Sequence, residues 1–155
     1  MQTSDLETAL ALAISYVVAR QRTAHEVRQK LVRSGVSDTL TTAVLAQLHE
    51  RGLLDDAAYS KAYLASRLAH RGYGPQRLSR ELSQRGVGRA LIEDAVQHTL
   101  DAEDVLAAAR AQAVKRWARL ARDTEPAKRR QKLYDFLRRR GFASAIVQQL
   151  VTELT

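Results

Sequence analysis

The sequence contains no cysteine, and only two prolines, seven glycines and 5% aromatic residues among its 155 positions. The absence of cysteine excludes disulfides and thiolate metal sites, and it suits a reducing compartment. The scarcity of proline and glycine leaves long stretches of strong helix formers, mainly Ala, Leu, Arg and Gln. Since 45% of the residues are apolar, the chain can fill a core, which has to be largely aliphatic. These observations predict an all-α protein.

Neither a signal peptide nor a membrane span is expected. Residues 1–5 lack the positively charged start of a signal peptide. The apolar stretch from Leu10 to Ala19 is interrupted by polar residues and is too short to cross a bilayer. The sequence therefore predicts a cytoplasmic protein without a membrane partner.

Positive charge is concentrated in one segment. Between Lys115 and Arg140 there are eleven Lys or Arg residues against three Asp or Glu, a net charge of +8 within 26 positions. This equals the net charge of the whole chain. A single cation here is a solvated side chain, but the concentration favours a polyanion or an acidic protein groove as partner. The predicted contact surface consists of Lys115, Arg116, Arg119, Arg122, Lys128, Arg129, Lys132, Arg138, Arg139 and Arg140, with Arg130 in the same cluster.

One apolar pattern occurs three times around a glycine. Two apolar residues four apart are followed, four residues later, by Gly35, Gly86 or Gly141, and then by Val or Phe. Residues four apart form one stripe of a helix, and a glycine just past the stripe is typical of a left-handed C-terminal cap. The glycines are 51 and 55 residues apart. The pattern predicts three tandem three-helix repeats, at 1–54, 55–100 and 101–155.

Capping signals mark the starts of the helices. Thr23 to Glu26 fits a capping box, and Pro75 and Pro126 fit first helical positions. Together with the apolar periodicity these signals predict nine helices. They are expected near residues 5–21, 24–34, 38–51, 56–71, 75–85, 89–99, 101–122, 126–140 and 143–154.

Few residues offer chemistry for catalysis or metal binding. Asp55 and Asp56 allow an acid–base pair or a cation site, but a helix N-cap explains them better. The histidines at 25, 49, 70 and 98 are at least 21 residues apart, which does not favour zinc. No phosphate-binding loop, nucleophile elbow or dinucleotide fingerprint occurs. The sequence predicts a protein that is not an enzyme and needs no cofactor or metal.

The helix–turn–helix spacing also suggests a protein that recognises a DNA sequence. A recognition helix presents basic or amide side chains near its start. The helix after Gly35 begins Ser-Asp-Thr and the helix after Gly141 begins Ala-Ser-Ala, while Arg89 after Gly86 is followed by two acidic residues. Base-specific reading is therefore a poor fit. Base stacking on Tyr59, Tyr63, Tyr73 and Trp117 remains an alternative to packing, although the helical spacing of Tyr59 and Tyr63 favours packing.

The central stretch resembles the signature of the RecX family. It reads Gly52-Leu53-Leu54-Asp55-Asp56-Ala57-Ala58-Tyr59, then Arg67, Arg71-Gly72-Tyr73-Gly74-Pro75, Leu78, Glu81-Leu82 and Arg85-Gly86-Val87. The first repeat is similar to that family's N-terminal repeat through Arg20, Arg22, Glu26-Val27 and Lys30-Leu31. The third is similar to its C-terminal repeat through Lys132-Leu133, Phe136-Leu137 and Arg140-Gly141-Phe142.

The resemblance implies an elongated, curved array of three-helix repeats that lodges in the groove of the RecA–DNA filament. There the family limits filament extension and suppresses ATP hydrolysis, strand exchange and co-protease activity by RecA, which modulates recombination, DNA repair and the SOS response. No short motif fixes the residues that touch RecA, and we expect a monomer. The alternative is an architectural protein whose repeats bind single- or double-stranded DNA without sequence preference. The central signature separates the two hypotheses, whereas composition and charge do not.

Overall fold

The computed structural model describes residues 5–123 and 125–155. These residues form nine α-helices, one 3-10 turn and no strand, as the sequence predicts. The helices are α1 (Leu6–Ala19), α2 (Ala24–Arg33), α3 (Asp38–Glu50), α4 (Asp56–Arg71), α5 (Pro75–Gln84), α6 (Arg89–Thr99), α7 (Ala102–Arg119), α8 (Pro126–Arg139) and α9 (Ser144–Leu154), and the 3-10 turn is Leu120–Arg122. The largest difference from the prediction is at the end of α7, where the last three predicted residues form the 3-10 turn instead.

Side chains cap the helix starts where the sequence predicts. Thr23 Oγ1 accepts the Glu26 N–H at 3.2 Å, and the Glu26 carboxylate accepts the Thr23 N–H at 3.4 Å, so the capping box of α2 is present. Asp55 Oδ1 accepts the Ala58 N–H at 3.0 Å at the start of α4. Asp56 has a different role, because its Oδ1 accepts the N–H of Ala24, at the start of α2, at 2.9 Å. Each bond satisfies a donor that a helix start leaves without a partner.

The predicted glycine turn is present in all three repeats. Gly35, Gly86 and Gly141 have φ angles of +82°, +83° and +101°. After each glycine, the next N–H donates to the carbonyl five residues back, which ends the preceding helix. These bonds run from Val36 to Leu31 (3.0 Å), from Val87 to Leu82 (3.1 Å) and from Phe142 to Leu137 (3.3 Å). The apolar residue after each glycine is at most 5% exposed, so it folds back into the core.

The chain forms two compact units. The first comprises the described residues up to Ser60 together with Leu82–Ile92. Its core lies among α1, α2 and α3 and is aliphatic, as the scarcity of aromatic residues predicts. The buried residues of this core are Ala9, Ala13, Val17, Val27, Leu31, Val36, Val44, Leu45, Leu48 and Leu54.

Within the first unit, the turn between α5 and α6 contacts the loop between α1 and α2. Thr23 Oγ1 donates to the Arg85 carbonyl at 2.7 Å. Arg85 Nη1 donates to Glu26 Oε1 at 3.3 Å and to the Tyr59 hydroxyl at 3.1 Å. A Cβ added to Gly86 would lie 2.1 Å from the Cβ of His25, so the turn approaches the loop as closely as glycine allows.

The second unit comprises Lys61–Glu81 and Glu93–Thr155. Its core lies among α7, α8 and α9, and it includes Val105, Ala109, Ala113, Leu120, Leu133, Leu137, Phe142, Val147 and Leu150. Here the turn between α8 and α9 contacts the loop between α4 and α5. The Gly74 N–H donates to the Arg140 carbonyl at 2.8 Å, and the Gln76 N–H donates to the Gly141 carbonyl at 3.0 Å.

The two turn–loop contacts join equivalent elements. In each, the turn between the second and third helices of one repeat contacts the loop between the first and second helices of the preceding repeat. The residue before the turn glycine is Arg85 or Arg140 in the two repeats that follow another repeat, and Ser34 in the first repeat. Nearest-neighbour contacts of this kind are typical of repeat proteins.

Candidate functional site

The predicted contact surface lies on the second half of α7, the 3-10 turn and α8, with Arg140 directly after α8. Sequence reasoning treated its cations as one group, because they share a segment and a charge. The structure separates them by what their side chains contact. Some hold the second unit together, others form ion pairs at its surface, and a third set is exposed without such contacts.

Arg129 and Arg116 join α7 to α8. The Arg129 guanidinium lies 3.5 Å from the centre of the Trp117 ring, and its Nη2 donates to the Trp117 carbonyl at 2.7 Å. The Arg116 guanidinium lies 5.1 Å from the centre of the Phe136 ring. Cations over aromatic faces at these distances are attracted by the ring. Both side chains are half-buried, so they are structural components of the bundle.

Arg138 and Arg140 hold the turn before α9. Arg138 Nη1 donates to the Phe142 carbonyl at 2.9 Å. Arg140 Nη2 donates to the Arg71 carbonyl at 2.6 Å and to Gln112 Oε1 at 2.9 Å. Burial lowers the pKa of Arg140, with a smaller opposite effect of Tyr73, but an arginine stays charged at neutral pH.

Two lysines of the surface form exposed ion pairs. Lys128 Nζ lies 3.4 Å from Glu125 Oε2, and Lys132 Nζ contacts Asp123 Oδ2. Exposed pairs contribute little stability and exchange readily with other charges. These lysines are therefore available to an anionic partner, although their charge is partly neutralised.

Five cations of the segment are exposed and make no hydrogen bond, ion pair or ring contact with the described residues. They are Lys115, Arg119, Arg122, Arg130 and Arg139. Lys115, Arg119 and Arg122 follow one another at spacings of four and three residues, which places them along one side of α7 and its 3-10 extension. We call these five residues the exposed cations.

The aromatic side chains considered for base stacking contact arginines of the same chain. Tyr73 has the Arg77 guanidinium 3.6 Å from its ring centre and that of Arg140 at 4.7 Å. Trp117 carries an arginine on its ring, as described above. A ring face covered by an arginine is not available to a base.

Tyr59 and Tyr63 are half-buried and bonded within the chain. The Tyr59 hydroxyl accepts from Arg85, and the Tyr63 hydroxyl donates to Glu81 Oε2 at 2.6 Å. The packing interpretation of these two residues is confirmed.

The remaining polar candidates are dispersed. His49 Nδ1 lies 3.1 Å from the Leu54 carbonyl, and His98 Nδ1 lies 3.1 Å from Asp94 Oδ1. Among residues 5–123 and 125–155, no three His, Asp or Glu side chains are grouped so that they could hold a metal. In the same part of the chain, no helix has the length and apolar character needed to cross a membrane.

The fold and surface define a class of protein: an all-α protein of tandem three-helix repeats whose third repeat is strongly basic. Three family profiles match the chain, and their descriptions are the first, second and third three-helix domains of RecX. The matched residues are 9–48, 55–96 and 102–151.

Individual relatives and solved structures agree with these profiles. The chain is 36% identical to the regulatory protein RecX of Prosthecochloris aestuarii over 154 residues, which are 99% of this chain and 98% of that protein. It is 38% identical to the regulatory protein RecX of Halorhodospira halophila over 135 residues, which are 85% and 79% of the two chains. A crystal structure of regulatory protein RecX matches with a TM-score of 0.85 at 25% identity, covering 94% of this chain and 70% of that one. The crystal structure of RecX from Lactobacillus salivarius has the same fold, with a TM-score of 0.87 at 22% identity and 96% of each chain covered. This chain belongs to the RecX family.

Two sets of structural contacts were missed by sequence reasoning. The Asp56–Ala24 bond joins residues 32 apart, and no local pattern reveals it. The hydrogen bonds of Arg85 and Arg140 at the turn–loop contacts were also missed. The aligned repeats contain a sequence signal for them. Arginine precedes the turn glycine only in the two repeats that have a preceding repeat to contact.

Proposed function

We propose that this protein regulates the RecA recombinase by binding the RecA–DNA filament and restraining its extension, ATP hydrolysis, strand exchange and co-protease activity. The observation that carries the proposal is membership of the RecX family along nearly the whole chain, since all three of its three-helix domains match. The proposal includes a regulatory role in recombination, repair and the SOS response, and family membership supports it.

The exposed cations support the proposal physically. A filament of RecA on DNA offers phosphates and acidic protein side chains at a regular spacing, and a tandem array offers contacts spaced along its own length. Binding several sites at once raises the overall affinity without a single strong contact. The basic segment then contributes attraction over a range of about 8–10 Å at physiological salt.

The direct test is RecA's DNA-dependent ATP hydrolysis on single-stranded DNA. Substoichiometric amounts of this protein are expected to slow hydrolysis and to shorten the filaments seen by electron microscopy. If a micromolar excess leaves both unchanged, the proposal is wrong. An inhibitor that acts only by competing for bare DNA would lose its effect when RecA filaments are assembled before it is added.

A matched pair of variants tests the contact surface. The first reverses the exposed cations Arg119, Arg122 and Arg130 to Glu. The second reverses Arg51, Lys61 and Arg80 to Glu, which are exposed residues outside the segment and give the same change in net charge. The first variant is expected to weaken inhibition at least about tenfold, or 1.4 kcal/mol, and the second less than threefold. Equal losses would show that net charge and not this surface acts.

Arg129 and Arg138 are unsuitable for this test, although the sequence suggests them as solvent-facing. Their side chains donate to backbone carbonyls of Trp117 and Phe142. Reversal of either charge would remove these hydrogen bonds, and at Arg129 also the contact with the Trp117 ring, and would disturb the bundle.

A further inference from the structure

The outward face of α7 is apolar, which is unusual for a helix at the surface. The helix buries Val105, Ala109 and Ala113 in the core of the second unit. Charged or polar residues are expected on the opposite face. That face instead presents Ala107, Ala111, Val114 and Ala118, all exposed, with Val114 at 52%. We call these four residues the outer stripe of α7.

The outer stripe borders a groove of about 540 Å³ between the end of α4 and α7. Alanines lie on both walls, beside the polar side chains of His70 and Gln112, and small residues allow another helix to approach closely. Ala65, Leu68 and Ala69 line the α4 side, and Ala108 and Ala111 line the α7 side. Since Ala111 belongs to both features, the groove and the stripe are continuous, and the groove adds polar groups to the apolar stripe. Such an open, extended surface suits the apolar face of a helix better than a small molecule, which binds in a concave and largely enclosed site.

The charges at the ends of the groove differ in sign. Asp104 lines one end and Lys115 the other, and they are eleven residues apart on α7, which is about 16 Å or three turns. Arg119 and Arg122 extend the positive end. Asp104, Lys115, Arg119 and Arg122 make no ion pair with the residues that the structure describes. A helix lying here is stabilised if its positive N-terminus is near Asp104 and its negative C-terminus, with acidic side chains, is near Lys115.

We propose that the α4–α7 groove and the outer stripe bind an amphipathic helix of a partner protein. This helix is about three turns long, has an apolar face, carries Asp or Glu in its C-terminal half, and runs parallel to α7. The inference goes beyond the proposed function, since it follows from this surface alone and does not require that RecA supply the helix.

The test uses synthetic peptides and the full chain. The probe is a fluorescent, acetylated peptide of about fourteen residues, with leucine and alanine on one face and glutamate in its last two turns. The control peptide has the same composition with the glutamates moved to its first two turns. Fluorescence anisotropy is expected to show binding of the probe at least about tenfold tighter than that of the control. Equal binding of the two peptides, or no binding up to millimolar concentration, would overturn the proposal.

The substitution Ala111→Arg distinguishes peptide binding in the groove from peptide binding to any basic surface. The substitution fills the groove but adds a positive charge, so an electrostatic surface would bind the acidic peptide more tightly. The proposal expects binding to weaken at least about tenfold. Ala46→Arg, on the exposed side of α3, makes the same chemical change and is expected to alter binding less than twofold. Tighter binding by Ala111→Arg, or equal losses in both variants, would overturn the proposal.

Two further measurements complete the test. Lys115→Glu is expected to weaken probe binding about fivefold and to reduce its salt dependence, whereas Lys61→Glu on α4 is expected to change probe binding less than twofold.

Sedimentation equilibrium tests whether a second copy of this chain fills the groove. Self-association that Ala111→Arg abolishes would assign the surface to a dimer and overturn the proposed partner. Circular dichroism is expected to show unchanged helicity in each variant, because all these positions are exposed.

Discussion

Gly52 and Gly141 have similar backbone conformations but different surroundings. Their φ angles are +70° and +101°, in the region that disfavours any residue with a Cβ. A Cβ at Gly52 would meet nothing within 4 Å. At Gly141 it would lie 2.4 Å from the Cβ and 2.5 Å from the backbone nitrogen of Arg77. Backbone cannot move aside as a flexible side chain can, so Gly141 is required by its contact with α5 as well as by its conformation.

Alanine substitutions at these glycines separate the two requirements. Gly52→Ala is expected to lower the free energy of unfolding by about 1–2 kcal/mol, through conformational strain alone. Gly141→Ala adds the steric overlap and is expected to lower it by about 2–4 kcal/mol. Urea denaturation followed by circular dichroism measures both. Equal losses would show that the close approach at Gly141 adds nothing to the strain.

Single residues also show where sequence reasoning about the site stops. The sequence locates the basic segment correctly, because charge can be counted. It does not show that Arg140 is bonded to Arg71 and Gln112, which are 69 and 28 residues away. A solvent-facing arginine and an arginine stacked on Trp117 look the same in a list of residues. The division between structural and exposed cations therefore depends on long-range packing, which only the structure supplies.

At the scale of helices, the sequence predicts nearly the whole fold. Helix starts are predicted well because capping acts within about three residues, as in the box at Thr23 and Glu26. Helix ends are also predicted well, because each turn glycine lies within a few residues of the helix end that it marks. The end of α7 is less well predicted, because Leu120 continues the apolar periodicity and is buried in a 3-10 turn. The Asp56 cap on α2 is not predicted, since it joins two different helices.

The starts of α3 and α9 provide an internal comparison of N-caps. Ser37 and Ala143 occupy equivalent positions with nearly equal angles, φ −65° and ψ 157° against φ −64° and ψ 147°. Ser37 Oγ accepts the Leu40 N–H at 3.3 Å, while Ala143 has no side chain that can cap α9. The backbone at Ala143 is therefore already arranged for a capping hydroxyl.

Exchanging these two residue types tests the comparison. Ala143→Ser is expected to raise the free energy of unfolding by about 0.5–1 kcal/mol, and Ser37→Ala to lower it by about 1 kcal/mol. Chemical denaturation of the two single variants and of the double variant measures the effects. The two changes are expected to be nearly additive, since they lie in different compact units. No gain from Ala143→Ser would mean that the half-buried site does not admit the hydroxyl.

For the whole molecule, the net charge of +8 is a property of one segment. Of the cations in this segment, five are exposed without contacts to the described residues, and two lysines form ion pairs at the surface. A polyanion bound by these side chains releases counterions, so its affinity falls as salt rises. The salt dependence therefore reports how many cations make contact.

Binding of single-stranded poly(dT) at increasing salt gives that number. If the five exposed cations each meet one phosphate, the slope of log K against log salt is expected to be about −3 to −4. The Glu reversals at Arg119, Arg122 and Arg130 should reduce its magnitude by about 2, and those at Arg51, Lys61 and Arg80 by less than about 0.7. A salt-independent affinity for one defined sequence would contradict the view that these repeats do not read bases.

The two turn–loop contacts also bear on how the chain avoids misassembly. Thr23 and Gly74 occupy equivalent helix starts, but Thr23 offers a hydroxyl to its turn and Gly74 a backbone N–H. A Cβ at Gly74 would lie 2.7 Å from the Phe142 ring, so the third turn cannot dock on the first loop, where a threonine fills that space. Repeat proteins are prone to domain swapping and misordered docking. The third turn is thus excluded from the first loop, which gives a newly synthesised chain, or two chains at high concentration, a steric means of rejecting that wrong pairing.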